Sequence, residues 1–242
     1  MKTMNLTIRN IRAQLRVLAD PVDAETLQWF FKTGPGEYGE GDVFAGIRVP
    51  KLRQLIRMFG MVEESVVREL LASRIHEERL LALLILVRQF EKGAEADRRR
   101  VYRLYLSTMD RINNWDLVDL SAPAILGGYL KGRSRRPLYR LVGSKSLWER
   151  RMAVLATFAF IRDGDFGDAL AMAGRLMGDR EDLIHKAAGW MLREIGKRDE
   201  AVLEAFLGPR CGIMPRTMLR YAIERFPEAK RQKYLRGLAL RG

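Results

Sequence analysis

The chain is poor in the residues that most directly announce chemistry. It holds one cysteine, Cys211, in 242 residues, which excludes an intramolecular disulfide framework and suits a reducing cytoplasm. Its two histidines, His76 and His185, stand far apart. With one thiol they make no zinc-ligand spacing, so no metal is expected. Long hydrophobic runs are missing too. The longest, Leu80 to Val87, falls far short of the ~20 apolar residues a spanning helix needs, and the N-terminal segment lacks the apolar stretch of a secretory signal. No stretch alternates polar and apolar residues between hairpin turns, which argues against strands. The eight prolines punctuate the chain and saturate no part of it.

What is present is helical. Hydrophobic residues make up 48% of the chain, enough to fold. They recur at three- and four-residue steps, as in Leu52, Leu55, Ile56 and Phe59, then Val66, Val67, Leu70 and Leu71. Asp20-Pro21 and Asp163-Gly164-Asp165 read as turns. Ser146 reads as a helix N-cap, and Asp179 with Asp182 as a partial capping box. Pro215 and Pro227 mark helix starts. The helices also repeat. Arg79-Leu-Leu-Ala-Leu, Arg151-Met-Ala-Val-Leu and Lys186-Ala-Ala-Gly-Trp each open an apolar face with a basic residue. Trp115 lies halfway between Arg79 and Arg151, and Thr217 opens a worn final copy. A period in the mid-thirties with two helices per unit predicts an all-α protein. Its expected form is an α-solenoid, or superhelix, of stacked HEAT-like helical repeats with a concave basic groove. One such repeat domain is expected over residues 1–242, with 227–242 as a basic tail.

Charge of one sign dominates. Lys and Arg number 43 against 30 Asp and Glu, a formal net charge of +13, which points to a polyanionic partner. The segment from Lys131 to Arg140 holds Lys131, Arg133, Arg135, Arg136 and Arg140 with no acidic residue, and the segment from Pro209 onward holds nine basic residues against two acidic. Both suit a track of phosphates. A loop from Thr33 to Gly46 carries five glycines. It is too glycine-rich for a helix and lacks the Lys-Ser/Thr ending of a nucleotide-binding loop. It reads as a long connection whose amides could approach a phosphate.

The stretch Asn113-Asn114-Trp115-Asp116-Leu117-Val118-Asp119 is the strongest chemical signal. Trp115 and Asp119, four residues apart, share one helical face, while Asp116 must point elsewhere. A π surface beside a carboxylate suits a cation, although a packed Trp near a helix-terminal Asp would give the same spacing. Arg151 falls one repeat step after Trp115, and Trp190 two steps after Asp119, so these residues are expected on equivalent repeat surfaces. At these positions the sequence resembles the HEAT-like-repeat DNA alkylation repair glycosylases, the AlkD family. The resemblance rests on the Asn113–Asp119 stretch, Trp-Glu-Arg-Arg at 148–151, Lys-Ala-Ala-Gly-Trp-Met-Leu-Arg-Glu at 186–194 and Val49-Pro50. It implies a helical superhelix cradling duplex DNA, and excision of N3- and N7-alkylated purines without cofactor or metal. It further implies that Trp115 and Trp190 contact the lesion's deoxyribose and that Asp119 is catalytic. Arg151, or the adjacent Arg150, would hold a phosphate.

In such a reaction the alkylated base already carries positive charge and leaves neutral, while charge develops on the sugar. A carboxylate aimed there stabilises it and can orient water. No lysine is marked out for Schiff-base chemistry, so a monofunctional enzyme leaving an abasic site is expected. It would act as a monomer on alkylated double-stranded DNA, associated with the nucleoid of the cytoplasm and not with a membrane. The competing reading is a non-catalytic helical-repeat scaffold that binds DNA or an acidic partner. An RNA-reading repeat would need base-reading side chains in register in every unit, and these repeats show no such code.

Overall fold

The computed structural model describes residues 7–59 and 61–237. Residues 1–6 of the N-terminal segment, and Arg241 at the end of the basic tail, lie outside the described residues. The described residues form helices joined by turns and loops, with one isolated bridge between Val43 and Ile75. The expected all-α, repeat-built class is therefore observed. The chain divides into two compact units, residues 1–121 and 122–242.

The first unit comprises α1 (Ile8–Leu18), α2 (Pro21–Phe30), α3 (Val49–Met58), α4 (Glu64–Leu71), α5 (His76–Lys92), α6 (Glu95–Ser107) and the short α7 (Trp115–Asp119). Its core is α5. The Leu80–Leu86 run is buried all round, as expected of a helix flanked on several sides, and α3, α4, α6 and α7 pack against it. Asp20 does more than turn the chain. Its carboxylate accepts from the amides of Val22 and Asp23 and so caps α2, with Pro21 in the first helical position, where a missing N–H costs nothing.

The second unit opens with a π-helical turn at Pro123–Gly127. It contains α8 (Gly128–Leu130), α9 (Arg136–Leu141), α10 (Leu147–Ala156), α11 (Phe158–Ile161) and α12 (Gly167–Arg175). It continues with α13 (Asp182–Gly196), α14 (Glu200–Leu207), α15 (Arg216–Ala222) and α16 (Glu228–Leu235). Helix α13 is its centre, packed on α10, α12, α14 and α15. Ser146 caps α10 through the Glu149 amide. Pro215 and Pro227 immediately precede α15 and α16. The capping box at Asp179 is not formed. Helix α13 begins at Asp182, its cap position is Glu181, and the Asp179 carboxylate instead takes the Glu181 amide and the Arg150 guanidinium. The basic tail is also structured in part, as α16, with Tyr234 buried.

The repeat period is visible in polar bonding as well as in helix order. Lys131 pairs with Asp163, Arg135 with Asp165 and Asp168, and Arg150 with Asp179. Arg193 pairs with Glu224 and Lys230 with Glu200. Each pair spans roughly one repeat, the distance at which stacked units bring equivalent helices together.

Candidate functional site

In the first unit the site is built on α7. Five residues make barely more than one turn, too short to be stable alone, so its geometry comes from what grips it. Asn114 caps it, its side-chain oxygen accepting from the Trp115 amide at 2.8 Å. Asp116, one position round from Trp115, is buried and accepts from His76 Nε2 at 2.8 Å. His76 Nδ1 bonds Asp42 at 3.0 Å, and Arg79 donates to the other Asp42 oxygen at 2.6 Å. Asn113 and Asn114 each donate to Asp42 at 3.4 Å. Asp42 belongs to the glycine-rich loop, so that loop is no plain connection. The Glu77 carboxylate takes the amides of Ala45, Gly46 and Ile47 at 2.8, 2.9 and 3.0 Å and fixes the loop to the start of α5. Gly46 is obligatory there. Its φ is +78°, and a Cβ would lie 1.9 Å from the Asp20 carbonyl oxygen, a space only glycine can occupy.

With its inner face held, α7 turns Trp115 and Asp119 outward. Both are half-buried, one helical turn apart on a common face. Trp115 stacks on Phe31 at 5.0 Å and 15° and meets Phe30 edge-on at 5.9 Å, arrangements favoured by the ring quadrupoles. An apolar cavity of about 350 Å³ lies behind these rings, walled by Leu27, Phe30, Phe31, Phe44, His76 and Asp116. Asp119 adds its charge to the surroundings of Tyr105. Tyr105 is buried and bonded to Ser121 at 3.0 Å, and its phenol is pushed well above its usual pKa, chiefly by burial.

Burial is the largest influence on His76 and by itself would favour the neutral imidazole. The Asp116 charge and the hydrogen bonds to Asp116 and Asp42 outweigh it and raise the pKa to about 9. Burial likewise opposes ionisation of Asp42, but the His76 bond and the Arg79 charge hold its carboxyl below the usual range. His76, Arg79, Asp42 and Asp116 are thus two cations facing two anions.

In the second unit, Arg151 on α10 is 5% exposed and donates to the Leu183 carbonyl of α13 at 2.5 Å. Trp190 on α13 is half-buried, and its indole N–H reaches Glu194 at 3.3 Å. Burial resists ionisation of Glu194, but Lys197 and Arg198 hold its carboxyl below the usual range. Arg150 is clasped by Asp179 at 2.7 Å and donates to the carbonyls of Ser144 and Lys145. The basic run at 131–140 is partly neutralised in place. Lys131 and Arg135 sit in ion pairs, Arg133 lies 4.4 Å over the Tyr129 ring and donates to the Tyr129 carbonyl, and Arg136 is exposed. Sequence reasoning had no means of finding Asp42, His76, Arg79 and Asp116 as a cluster, because Asp42 and Asp116 lie 34 and 40 residues from His76. The one local signal was four consecutive charged residues, His-Glu-Glu-Arg, just ahead of the longest apolar run.

The family model described as DNA alkylation repair enzyme matches residues 11–226. The chain belongs to that family. A solved structure described as a predicted DNA alkylation repair enzyme from Enterococcus faecalis is similar in fold. Its TM-score is 0.65 at 16% identity, over 87% of this chain and 97% of that one. No curated protein sequence matches the chain. The match runs through both compact units and takes in Trp115, Asp119, Arg151 and Trp190. Among the described residues no acidic, histidine or cysteine group is arranged to hold a metal ion, and no helix is long and apolar enough to cross a membrane.

Proposed function

We propose that this DNA alkylation repair family member is a monofunctional glycosylase acting on N3- and N7-alkylated purines in duplex DNA. The observation that carries the reading is the outward face of α7. An indole and a carboxylate stand one turn apart there, on a five-residue helix whose opposite face is bolted down by buried charges. A groove that only bound phosphates would gain nothing from a carboxylate turned toward them.

Alkylation at N3 or N7 makes the purine a cationic leaving group. As the glycosidic bond lengthens, its electron pair moves to the base, which departs neutral, and positive charge accumulates on the deoxyribose. Asp119 stabilises that charge and orients the water whose oxygen bonds to C1′. The water's proton passes to solvent, leaving a free base and an abasic site. Trp115 faces the same developing cation, an interaction worth about 0.5–2 kcal/mol. Trp190 offers an aromatic contact to the DNA within the second unit. Arg151 and Arg150, with Lys131, Arg133, Arg135 and Arg136, contribute phosphate contacts that set position and not sequence. Those already engaged in ion pairs must exchange a carboxylate for a phosphate to do so.

The test is release of free base from duplex DNA carrying N7-methylguanine, for wild type and Asp119→Asn at one fixed salt concentration. Loss of such a preorganised group should slow release about 10²–10³-fold while DNA binding persists. Equal rates would remove Asp119 from the chemistry. Binding without release, repeated on N3-methyladenine, would favour the scaffold reading.

A further inference from the structure

The first turn of α5, His76-Glu77-Glu78-Arg79, is buried at all four positions. Each charge is answered from a different direction. Glu78 takes Arg12 of α1 at 3.1 Å, and Glu77 takes the loop amides of residues 45–47, so each acid is bonded away from the imidazole. Among the described residues the imidazole nitrogens bond Asp42 of the loop and Asp116 of α7. Arg79, Asn113 and Asn114 bond Asp42 from the outside. Aromatic rings pack beside the imidazole, which also borders the apolar cavity. Phe44 stacks on His76 at 4.4 Å, and Phe31 lies 5.2 Å from His76 and 5.0 Å from Trp115.

This arrangement depends on the imidazole having two N–H donors. The imidazolium satisfies both carboxylates at once, and with Arg79 brings the cluster to neutrality. A neutral imidazole has one N–H. It would leave one buried carboxylate facing a lone pair, with a net charge of −1 among these four groups. Uncompensated buried charge is expensive, and it falls on the pair that joins α5 to α7. Five residues long, α7 depends on such tertiary contacts for its place.

We propose that His76 is a positioning residue: as an imidazolium it holds α7, and with it Trp115 and Asp119, against α5 and the glycine-rich loop. The proposal rests on reading Trp115 and Asp119 as the glycosylase site. The ion pairs raise the His76 pKa to about 9, so the clamp is closed at neutral pH and opens in mild alkali. Misplacing a reacting group by an ångström can cost about 10²-fold in rate, so a fall of at least about tenfold in base release is expected as His76 loses its proton.

The experiment follows three quantities between pH 6 and pH 10 on the full chain. They are the imidazole resonances of His76, the single-turnover release of N7-methylguanine from duplex DNA, and the Trp115 indole N–H resonance. Spontaneous base loss from the same DNA is subtracted. The protein has only two histidines, so His185→Gln assigns the pair, and Trp115→Phe assigns the indole signal. The expected result is a single alkaline midpoint shared by all three. In Asp116→Asn, which keeps an acceptor but removes one charge, that midpoint should move to lower pH for His76 and for the rate together. A rate that stays constant while His76 titrates would overturn the proposal. So would a rate midpoint that stays in place when the His76 titration moves, or loss of far-ultraviolet ellipticity at the His76 midpoint, which would make the effect global unfolding. If the wild type releases no base at any pH, the glycosylase reading fails and the indole signal decides. Its movement with His76 upholds the clamp, and its constancy overturns it.

Discussion

Arg151 and Arg136 carry the same charge and have opposite surroundings, so they should respond differently to substitution. Arg151 is almost fully buried and bonds a main-chain carbonyl of the next repeat, whereas Arg136 is exposed. Arg151→Ala removes a buried charged donor that joins α10 to the Leu183 carbonyl of α13, a loss of about 1–3 kcal/mol. It should appear as a lower melting temperature even without DNA. An unchanged melting temperature would mean that the bond to Leu183 adds nothing to stability. The same contrast explains what could be read from sequence at this scale. The common face of Trp115 and Asp119 follows from helical spacing alone, and so does the divergence of Asp116 from it. The partner of Asp116 does not, because His76 is 40 residues away and nothing local encodes a tertiary ion pair. For the same reason the run from Lys131 to Arg140 looked uniformly cationic. The aspartates that answer Lys131 and Arg135 lie one repeat further along.

Helices were legible where their apolar period and their caps agreed. Ser146 starts α10 as its spacing requires, and the repeat positions at 79, 115, 151, 186 and 217 all fall on helices. The start of α13 was misread, since Asp179 is drawn away by Arg150 and the helix begins at Asp182 without a side-chain cap. Close packing between repeats depends on small residues at crossing points. Gly189 on α13 faces α15, where a Cβ would sit 2.5 Å from the Met218 carbonyl oxygen and 2.6 Å from the Tyr221 Cβ. Neither neighbour is the flexible end of a side chain, so one helix must shift. Gly189→Ala is expected to cost about 1–3 kcal/mol despite the higher helix propensity of alanine. Thermal unfolding of the variant reads this directly, and a melting temperature at or above wild type would mean that α13 and α15 are more loosely packed than the contact distances imply. Trp190 lies on the same helix, so a shift in α13 should also change its emission.

For the whole molecule, a net charge of +13 measures attraction to a polyanion but not the number of phosphates held. Much of the positive charge is already committed. Lys131, Arg135, Arg150, Arg193 and Lys230 each face a carboxylate of a neighbouring repeat. Such pairs fasten helix to helix, and a pair that stays closed in the complex releases no counterion from DNA. The salt dependence of binding separates the two populations. Each phosphate contact contributes about −0.9 to the slope of log K against log salt. Arg136→Gln, at an exposed position, should therefore make the slope shallower by about one contact and leave the melting temperature unchanged. Lys131→Gln with Arg135→Gln should lower the melting temperature. It should change the slope only if those two side chains abandon Asp163, Asp165 and Asp168 for phosphate. Binding of undamaged duplex DNA by wild type and the two variants, titrated across salt at neutral pH, distinguishes these cases. A slope lowered by about two in the double variant would mean that the inter-repeat ion pairs are a reserve of DNA contacts that open when the polyanion arrives.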